Sequence, residues 1–122
     1  MTLRKILIGA ALLAATACSG NSTTSASSTT STGSNSNASI VLNASVLTST
    51  AFSPNPIVVK VGDSVTWVNN DSTVHTSVAN GGAWTSGNIN PGGSFKATMT
   101  AAGTFPYHCT IHPGMIGTVT VQ

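Results

Sequence analysis

From Ile40 onward, short stretches of alternating apolar and polar residues are separated by turn residues, and this spacing limits the fold more than any other feature. In residues 64–69, for example, Val65 and Trp67 lie on one face of an extended segment. Alternation with a period of two is typical of half-buried strands, and no stretch after Ile40 has a useful helical period. Turn residues recur about every ten positions, which is typical of a β-sandwich or barrel.

The same pattern gives the positions of the expected strands. We expect them in residues 40–46, 57–61, 64–69, 76–78, 95–100, 105–109 and 117–121. Clusters of proline, glycine and asparagine between them indicate turns, as at residues 52–56 and 90–93. A Greek-key sandwich would bury the large aromatic side chains together with the Val and Ile residues, so the fold that we expect is an all-β Greek-key sandwich.

The first 17 residues are typical of an export signal. Arg4 and Lys5 form a basic start, and an apolar run of about ten residues follows, which is too short to span a bilayer. Residues 15–18 then resemble a bacterial lipobox, in which Cys18 would be lipidated and become the mature N-terminus. They also fit ordinary signal cleavage after small residues. We expect residues 1–17 to be a signal peptide and Cys18 to anchor the protein in the periplasm or at the cell surface.

Residues 18–39 differ in composition from everything that follows. After the cysteine they are almost entirely Ser, Thr, Asn, Gly and Ala, with no charge and no hydrophobic period. Such a segment buries too little apolar surface to offset the entropy that it would lose on ordering. We therefore expect residues 18–39 to be a disordered tether between a lipid anchor and a folded domain of residues 40–122.

The few charged residues exclude some partners. The formal net charge is +2, and the two basic residues of the N-terminal segment contribute all of it. The predicted domain holds Lys60 and Lys96 against Asp63 and Asp71, so its formal charge is 2 − 2 = 0. A domain without a basic surface is a poor match for nucleic acid and does not attract partners from a distance by net charge. We expect a monomer that does not bind nucleic acid.

One short loop near the C-terminus concentrates metal-ligand chemistry. Cys109, His112 and Met115 lie close together there, and a second imidazole, His75, lies upstream. Cys109 ends the predicted strand 105–109 on its apolar face, and the turn residues that follow let the loop fold back toward the sulfur. Two His and one Cys with a more distant Met are the donor set of blue-copper electron-transfer sites. The sequence therefore indicates one copper ion.

These residues and their surroundings resemble the cupredoxins, the family of plastocyanin and azurin. The resemblance covers nearly all of residues 40–122. It rests on the segments 52–54, 57–67, 69–71, 75–76, 86–87, 91–92, 103–105, 107–115 and 117–121. It implies a cupredoxin-like β-sandwich with a short, amicyanin-like ligand loop, in which a type 1 copper ion is bound by His75, Cys109, His112 and axial Met115.

The resemblance also implies roles for residues around the ligands. The backbone N–H of Thr76 is expected to donate to the Cys109 sulfur, and such bonds orient ligands and tune the reduction potential. Thr76 stands where the family often has Asn, so the tie between the two ligand loops is either lost or made by a hydroxyl. His112 would be the electron port, at the centre of an apolar surface that contacts redox partners. That surface comprises Pro113, Gly114 and Ile116.

The predicted function is to carry single electrons between exported redox proteins. A second possibility is copper storage or delivery, which uses open and exchangeable sites, often rich in Met or His. The loop has one Met and no Met cluster, which favours the electron carrier. We expect no enzyme activity, because the sequence has no catalytic carboxylate pair, no second metal motif and no nucleotide-binding loop.

Overall fold

Eight β-strands and one 3₁₀ turn make up the regular structure of residues 33–122, the part of the chain that the computed structural model describes. The strands are β1 (Asn35–Ile40), β2 (Phe52–Ser53), β3 (Ile57–Val59), β4 (Ser64–Asn69), β5 (Val78–Ala79), β6 (Ser94–Thr98), β7 (Gly103–His108) and β8 (Ile116–Val121). The 3₁₀ turn, Ala44–Val46, lies between β1 and β2. Within this range no helix has the length and hydropathy needed to cross a bilayer. The predicted signal peptide, Cys18 and most of the tether lie outside the described residues.

Two four-stranded sheets pack face to face and confirm the predicted all-β sandwich. One sheet has the strand order β2-β1-β4-β6 and the other β3-β8-β7-β5. β1 pairs with β4, and β3 with β8, in parallel, whereas the other neighbours are antiparallel. The chain crosses repeatedly between the sheets, as Greek-key connections do. The loops after β4 and β7 meet at one end of the sandwich, where Thr76 contacts Cys109.

Aromatic side chains from both sheets fill the core. The ring of Trp67 on β4 lies 5.5 Å from that of Tyr107 on β7 and 5.9 Å from that of Phe95 on β6, measured between centroids. Trp84 packs 5.2 Å from Trp67, so both tryptophans serve packing, as expected. Gly117 lies opposite Tyr107 on β8, and a Cβ at this position would overlap the tyrosine ring. The glycine therefore makes room for one of the largest core side chains.

The folded domain begins earlier than the sequence pattern predicted. β1 starts at Asn35, so residues 35–39 belong to a strand and the predicted tether boundary at residue 39 was wrong. In this strand only Ala38 and Ile40 are buried. A strand this polar can form because it pairs with β4 along its whole length. Such long-range pairing overrides local composition and cannot be read from it.

The strand predicted at residues 40–46 was also wrong, because β1 ends at Ile40. Asn43 adopts a left-handed conformation with φ 60°, and the 3₁₀ turn follows directly. Of the alternating apolar side chains that suggested a strand here, Leu42 and Val46 are 63% and 80% exposed, and only Ala44 is buried within the turn. The alternation in this segment therefore belongs to a turn and not to a sheet.

Five other strands differ from their predicted bounds by one to a few residues, and β2 lies in a segment that was predicted as a turn. β6 is Ser94–Thr98 in place of residues 95–100, and β8 starts at Ile116 in place of residue 117. β3 ends at Val59 and not at residue 61, because the chain enters a turn in which the Lys60 N–H donates to the Asp63 carboxylate at 2.9 Å. β5 comprises Val78–Ala79 in place of residues 76–78. β7 ends at His108, so Cys109 is the first residue of a loop. This release from the sheet leaves the cysteine free to turn toward the other predicted ligands.

Candidate metal centre

Two loops at one end of the sandwich bring the predicted ligands together. His75 lies in the connection between β4 and β5, and Cys109 directly follows β7. His112 and Met115 lie in the loop that leads to β8. One donor atom from each of His75, Cys109 and His112 lies within 4.8 Å of the other two. The structure thus joins residues that are more than thirty positions apart in sequence.

A buried asparagine shapes the connection that carries His75. The side-chain amide of Asn69 donates to the carbonyl oxygens of Thr73 at 2.7 Å and of Ile89 at 2.8 Å. His75 and Ile89 also exchange two backbone hydrogen bonds, of 3.1 and 2.8 Å. These contacts fix the backbone at the first imidazole, and the His75 side chain is fully buried. A ligand on such a support keeps its position without help from the metal.

The donor atoms converge on one point. Cys109 Sγ lies 3.8 Å from His75 Nδ1 and 3.9 Å from His112 Nδ1, and the two Nδ1 atoms are 3.2 Å apart. Bonds to a first-row ion such as zinc measure about 2.0–2.1 Å for nitrogen and about 2.3 Å for thiolate sulfur, so ligands that share one such ion lie about 3–4 Å apart. The observed spacing fits three ligands of a single ion.

Backbone hydrogen bonds close the ligand loop. The N–H of Cys109 donates to the carbonyl of Met115 at 3.1 Å, and the N–H of Met115 donates to the carbonyl of His112 at 2.9 Å. Pro113 and Gly114 form the exposed turn between them. Met115 is fully buried, whereas His112 is half-buried. The loop therefore keeps its thioether inside the protein and leaves one imidazole partly accessible.

Thr76 ties the two ligand loops together. Its backbone N–H donates to Cys109 Sγ at 3.3 Å, which confirms the bond expected from the sequence. Its hydroxyl oxygen accepts the backbone N–H of Thr110 at 2.8 Å and lies 3.0 Å from the Thr110 hydroxyl. The tie between the two ligand loops is therefore not lost but is made by the hydroxyl of Thr76.

Hydrogen bonds prepare the Cys109 sulfur to act as a thiolate. Burial raises the pKa of the thiol, but backbone hydrogen bonds, led by the one from the N–H of Thr76, lower it more, to about 6. The thiolate is the form of cysteine that binds metals. At neutral pH the sulfur is therefore ready to bind a metal without a large cost of deprotonation.

Asp71 contacts a proposed ligand, and the sequence reasoning missed it. Its carboxylate lies 2.8 Å from His75 Nε2, on the side of the ring away from Cys109. The hydrogen bond from His75 holds the pKa of Asp71 well below its ordinary range, although burial raises it. A carboxylate four residues before a proposed histidine ligand was the available signal, because a metal-bound His commonly donates its second N–H to a carboxylate.

His108, on the strand face opposite Cys109, lies outside the donor cluster. Its Nδ1 is 2.6 Å from the side-chain oxygen of Asn80, and the residue is half-buried. Among the described residues, the His108 ring has no hydrogen bond to the Cys109 sulfur. The third histidine is therefore a contact between β7 and the loop after β5.

The chemistry of the donor set fits copper. A thiolate, two imidazoles and a nearby thioether are the ligands of blue-copper centres. A closed structural zinc site uses four Cys and His ligands, and residues 33–122 offer a cluster of only three. His75, Cys109 and His112, with the buried Met115 beside them, would hold the ion. The sandwich and this donor set together define a cupredoxin, a small β protein built around one copper ion.

Comparison with known proteins gives the same class. A family model described as a cupredoxin-like domain matches residues 8–121. The chain belongs to the cupredoxin family. Amicyanin from Paracoccus denitrificans is 39% identical over 69 residues, which cover 52% of this chain and 53% of amicyanin. Plastocyanin from Scenedesmus fuscus is 38% identical over 84 residues, which cover 58% of this chain and 86% of that plastocyanin. The chain thus spans about half the length of the amicyanin that it matches.

Solved structures agree with the sandwich over most of the domain. A purple cupredoxin from Nitrosopumilus maritimus superposes with a TM-score of 0.66 at 29% identity, covering 71% of this chain and 99% of that one. The Cu(I) form of an amicyanin variant superposes with a TM-score of 0.61 at 28% identity, covering 72% of this chain and 82% of that one. The likeness covers a complete cupredoxin chain and not an isolated motif.

Proposed function

We propose that the chain is a type 1 copper protein that carries single electrons between exported redox partners. His75, Cys109 and His112 would hold one copper ion, with the thioether of Met115 as a fourth, weaker ligand. The observation that carries the proposal is the convergence of one sulfur and two nitrogen atoms within 3.2–3.9 Å of one another. A bound copper ion would supply the Cu(II)/Cu(I) couple, and the relatives amicyanin and plastocyanin are electron carriers and not enzymes.

The role of the protein is to keep the ligands in one arrangement. His75, Cys109 and Met115 are fully buried, and the Thr76 hydroxyl joins the two loops that carry them. Gain or loss of an electron changes the geometry that an ion prefers, so ligands that cannot move keep the reorganisation small. Burial of Cys109 also limits the access of oxidants to the sulfur.

His112 is the route by which electrons enter and leave. It alone among the four proposed ligands is not fully buried. Exposed apolar residues flank it, and we call this surface the apolar rim. The rim comprises Ile111, Pro113, Gly114 and Ile116. Ile111 and Ile116 are 41% and 49% exposed, and a small apolar surface suits weak and transient redox encounters.

The apolar rim carries no charge. Lys60 and Asp63 lie at the opposite end of the sandwich, in the turn between β3 and β4. Lys96 is exposed on β6, and Asp71 is buried. Because these are the charged residues of the described range, we expect a redox partner with an uncharged, apolar docking face. Association should then depend little on ionic strength.

We further propose that the domain is exported and tethered to a membrane through a lipid on Cys18. Support comes from the basic start, the apolar run and the small residues before Cys18. The polar residues that follow would let the domain reach partners near the membrane. Mass spectrometry of the native N-terminus tests this proposal. A lipid-modified Cys18 is expected, and an unmodified N-terminus produced by ordinary signal cleavage would contradict it.

A redox titration of the copper-loaded protein tests the electron-carrier function. One equivalent of reductant should remove the visible absorption, and one equivalent of oxidant should restore it over repeated cycles without loss of copper. Zinc-loaded protein is the control and should accept no electrons. Release of copper on reduction, or rapid transfer to a copper acceptor, would favour storage or delivery instead.

A further inference from the structure

The most completely hydrogen-bonded side chain near the metal centre is not one of the proposed ligands. The Asp71 side chain is 2% exposed, yet its carboxylate has five polar contacts within the protein. They are to the backbone nitrogens of Asn43 (3.0 Å), Ala44 (3.2 Å) and Ser72 (2.8 Å), the hydroxyl of Thr73 (3.0 Å) and Nε2 of His75 (2.8 Å). A buried carboxylate needs such compensation, because isolated charge is costly inside a protein.

The surface turn after β1 is shaped around this carboxylate. Asn43 has φ 60° and ψ 30°, and Ala44 begins the 3₁₀ turn. This change of hand directs the consecutive N–H groups of Asn43 and Ala44 toward the two carboxylate oxygens of Asp71. Such pairs of N–H groups form anion-binding concavities, and Asn is among the residues that tolerate the left-handed region. The turn therefore supplies two backbone donors to the same carboxylate that contacts His75.

We infer that Asp71 is a positioning residue for the metal centre, which fixes the ring of His75 with Nε2 bonded to the carboxylate and Nδ1 turned toward Cys109 and His112. The carboxylate accepts only, so it selects the tautomer that carries its proton on Nε2. Nδ1 then keeps its lone pair for the metal, 3.8 Å from the sulfur. The inference rests on the proposed function for its effect on copper, but the tautomer itself does not depend on any metal.

The two proposed histidine ligands are supported differently. His75 has the carboxylate of Asp71 behind it, whereas the other aspartate of residues 33–122, Asp63, lies at the far end of the sandwich and leaves His112 without one. The negative charge behind His75 favours the more positive oxidation state of a bound ion, and therefore lowers the reduction potential. Asp71 thus fixes the orientation of the His75 ring, whereas the half-buried His112 ring has no carboxylate partner.

Substitution of each aspartate by asparagine separates positioning from a general loss of charge. Asp71→Asn and Asp63→Asn remove the same charge, and both side chains accept backbone N–H groups. In the metal-free protein, nitrogen NMR of the imidazoles should find His75 protonated at Nε2 in the unsubstituted chain and in Asp63→Asn. In Asp71→Asn we expect a mixture of tautomers.

The copper-loaded variants give a second readout. Asp71→Asn should raise the reduction potential and weaken copper binding by roughly 10–100-fold, which is the usual effect of losing a partner of a metal-bound His. Asp63→Asn should change neither. Asp71→Glu, which restores the carboxylate, should recover the Nε2 tautomer at least in part. If Asp71→Asn does not fold, the tautomer of His75 in the unsubstituted protein still decides the question.

Two outcomes would overturn the inference. One is a His75 protonated at Nδ1 in the unsubstituted metal-free protein. The other is a blue Asp71→Asn protein with the tautomer and potential of the Asp63→Asn control. Neither outcome would affect the proposed function, which fails instead if the unsubstituted protein binds copper without becoming blue.

Discussion

An aspartate organises a turn at each end of the sandwich, and the two turns differ in what else the carboxylate touches. Asp63 accepts the backbone N–H groups of Ser34 at 2.8 Å and Lys60 at 2.9 Å. Asp71 accepts those of Asn43 at 3.0 Å and Ala44 at 3.2 Å. Asp63 thereby joins the start of β1 to the turn before β4, and both of these hydrogen bonds come from backbone groups.

Burial and one further contact give Asp71 a different role. Its carboxylate also meets a histidine whose other nitrogen faces a cysteine and a second histidine. Asp63 is accessible to solvent and has no such neighbour among its hydrogen bonds. The two aspartates thus differ in burial and in one contact, and these differences place the turn-stabilising carboxylate of Asp71 behind a proposed metal ligand.

At the end of the sandwich that carries the proposed ligands, which we call the metal end, loss of the sulfur should abolish the blue colour altogether. Cys109→Ala removes the one thiol of residues 33–122, and no other side chain there can supply the thiolate-to-copper absorption. Asp63→Asn at the other end should keep the colour in full. Visible absorption measures the effect, and circular dichroism should find both variants folded. Colour that persists in Cys109→Ala would contradict the ligand assignment.

A buried methionine lies at each end, and only one should tune the copper. Met115→Gln should lower the reduction potential while copper stays bound, because the axial donor adjusts the ion more than it holds it. Met99→Leu is the control, since Met99 is 4% exposed and its backbone hydrogen-bonds the turn at Asp63. Voltammetry and copper analysis measure both. Equal potentials in the two variants would remove Met115 from the ligand set.

The hydroxyl of Thr76 should matter more for stability than a surface hydroxyl pair. Thr76→Val leaves the N–H of Thr110 without its acceptor and should lower the free energy of unfolding by about 1–2 kcal/mol. Thr98→Val removes only an exposed contact with Ser64 and should change it by less than about 0.5 kcal/mol. Urea unfolding of the metal-free proteins measures both. Equal losses would mean that Thr76 does not tie the loops.

Asp63 should contribute stability that is lost in acid. Backbone hydrogen bonds from Lys60 and Ser34 hold the pKa of Asp63 below its ordinary value of 3.8. A carboxyl whose pKa is lower in the folded state stabilises the fold above its unfolded pKa, and this stabilisation disappears as pH falls through the folded pKa. Asp63→Asn should therefore be less stable than the unsubstituted protein at pH 6, and the gap should narrow below pH 4. A gap that is independent of pH would contradict this reading.

Ionic strength should have the smallest effect of all at the metal end. Electron self-exchange between oxidised and reduced copies brings two apolar rims together without any other partner. Since the rim has no charged residue, the rate should change little with salt. Ile116→Lys adds like charges to both copies, so its rate should be slower and should recover as salt is added. A strong salt dependence in the unsubstituted protein would mean that charges take part in docking.

Much of this molecule was accessible from the sequence because its signals are local. The strand that carries Trp67 has a regular alternation of buried and less buried residues. Three of the proposed ligands lie close together in sequence, and Pro113 and Gly114 indicate the turn between them. The fourth, His75, was found because a known donor set lacked one imidazole. A resemblance to a family then fixed the order of these segments.

The features that were missed depend on distant parts of the chain. β1 is made of Ser, Asn and Ala with one Ile at its end, and it becomes a strand because it lies between β2 and β4. The turn at Asn43 exists because Asp71, far away in sequence, accepts its N–H. The role of Asp71 in turn depends on which ring nitrogen of His75 faces it. Composition and periodicity carry none of these long-range pairings.

The absorption and EPR spectra of the protein loaded with one equivalent of copper test the central claim most directly. We predict an intense visible band from the thiolate to Cu(II), together with the EPR signal of a single Cu(II) ion, both of which disappear on one-electron reduction. A colourless copper complex, or a spectrum that is unchanged in Cys109→Ala, would contradict the account.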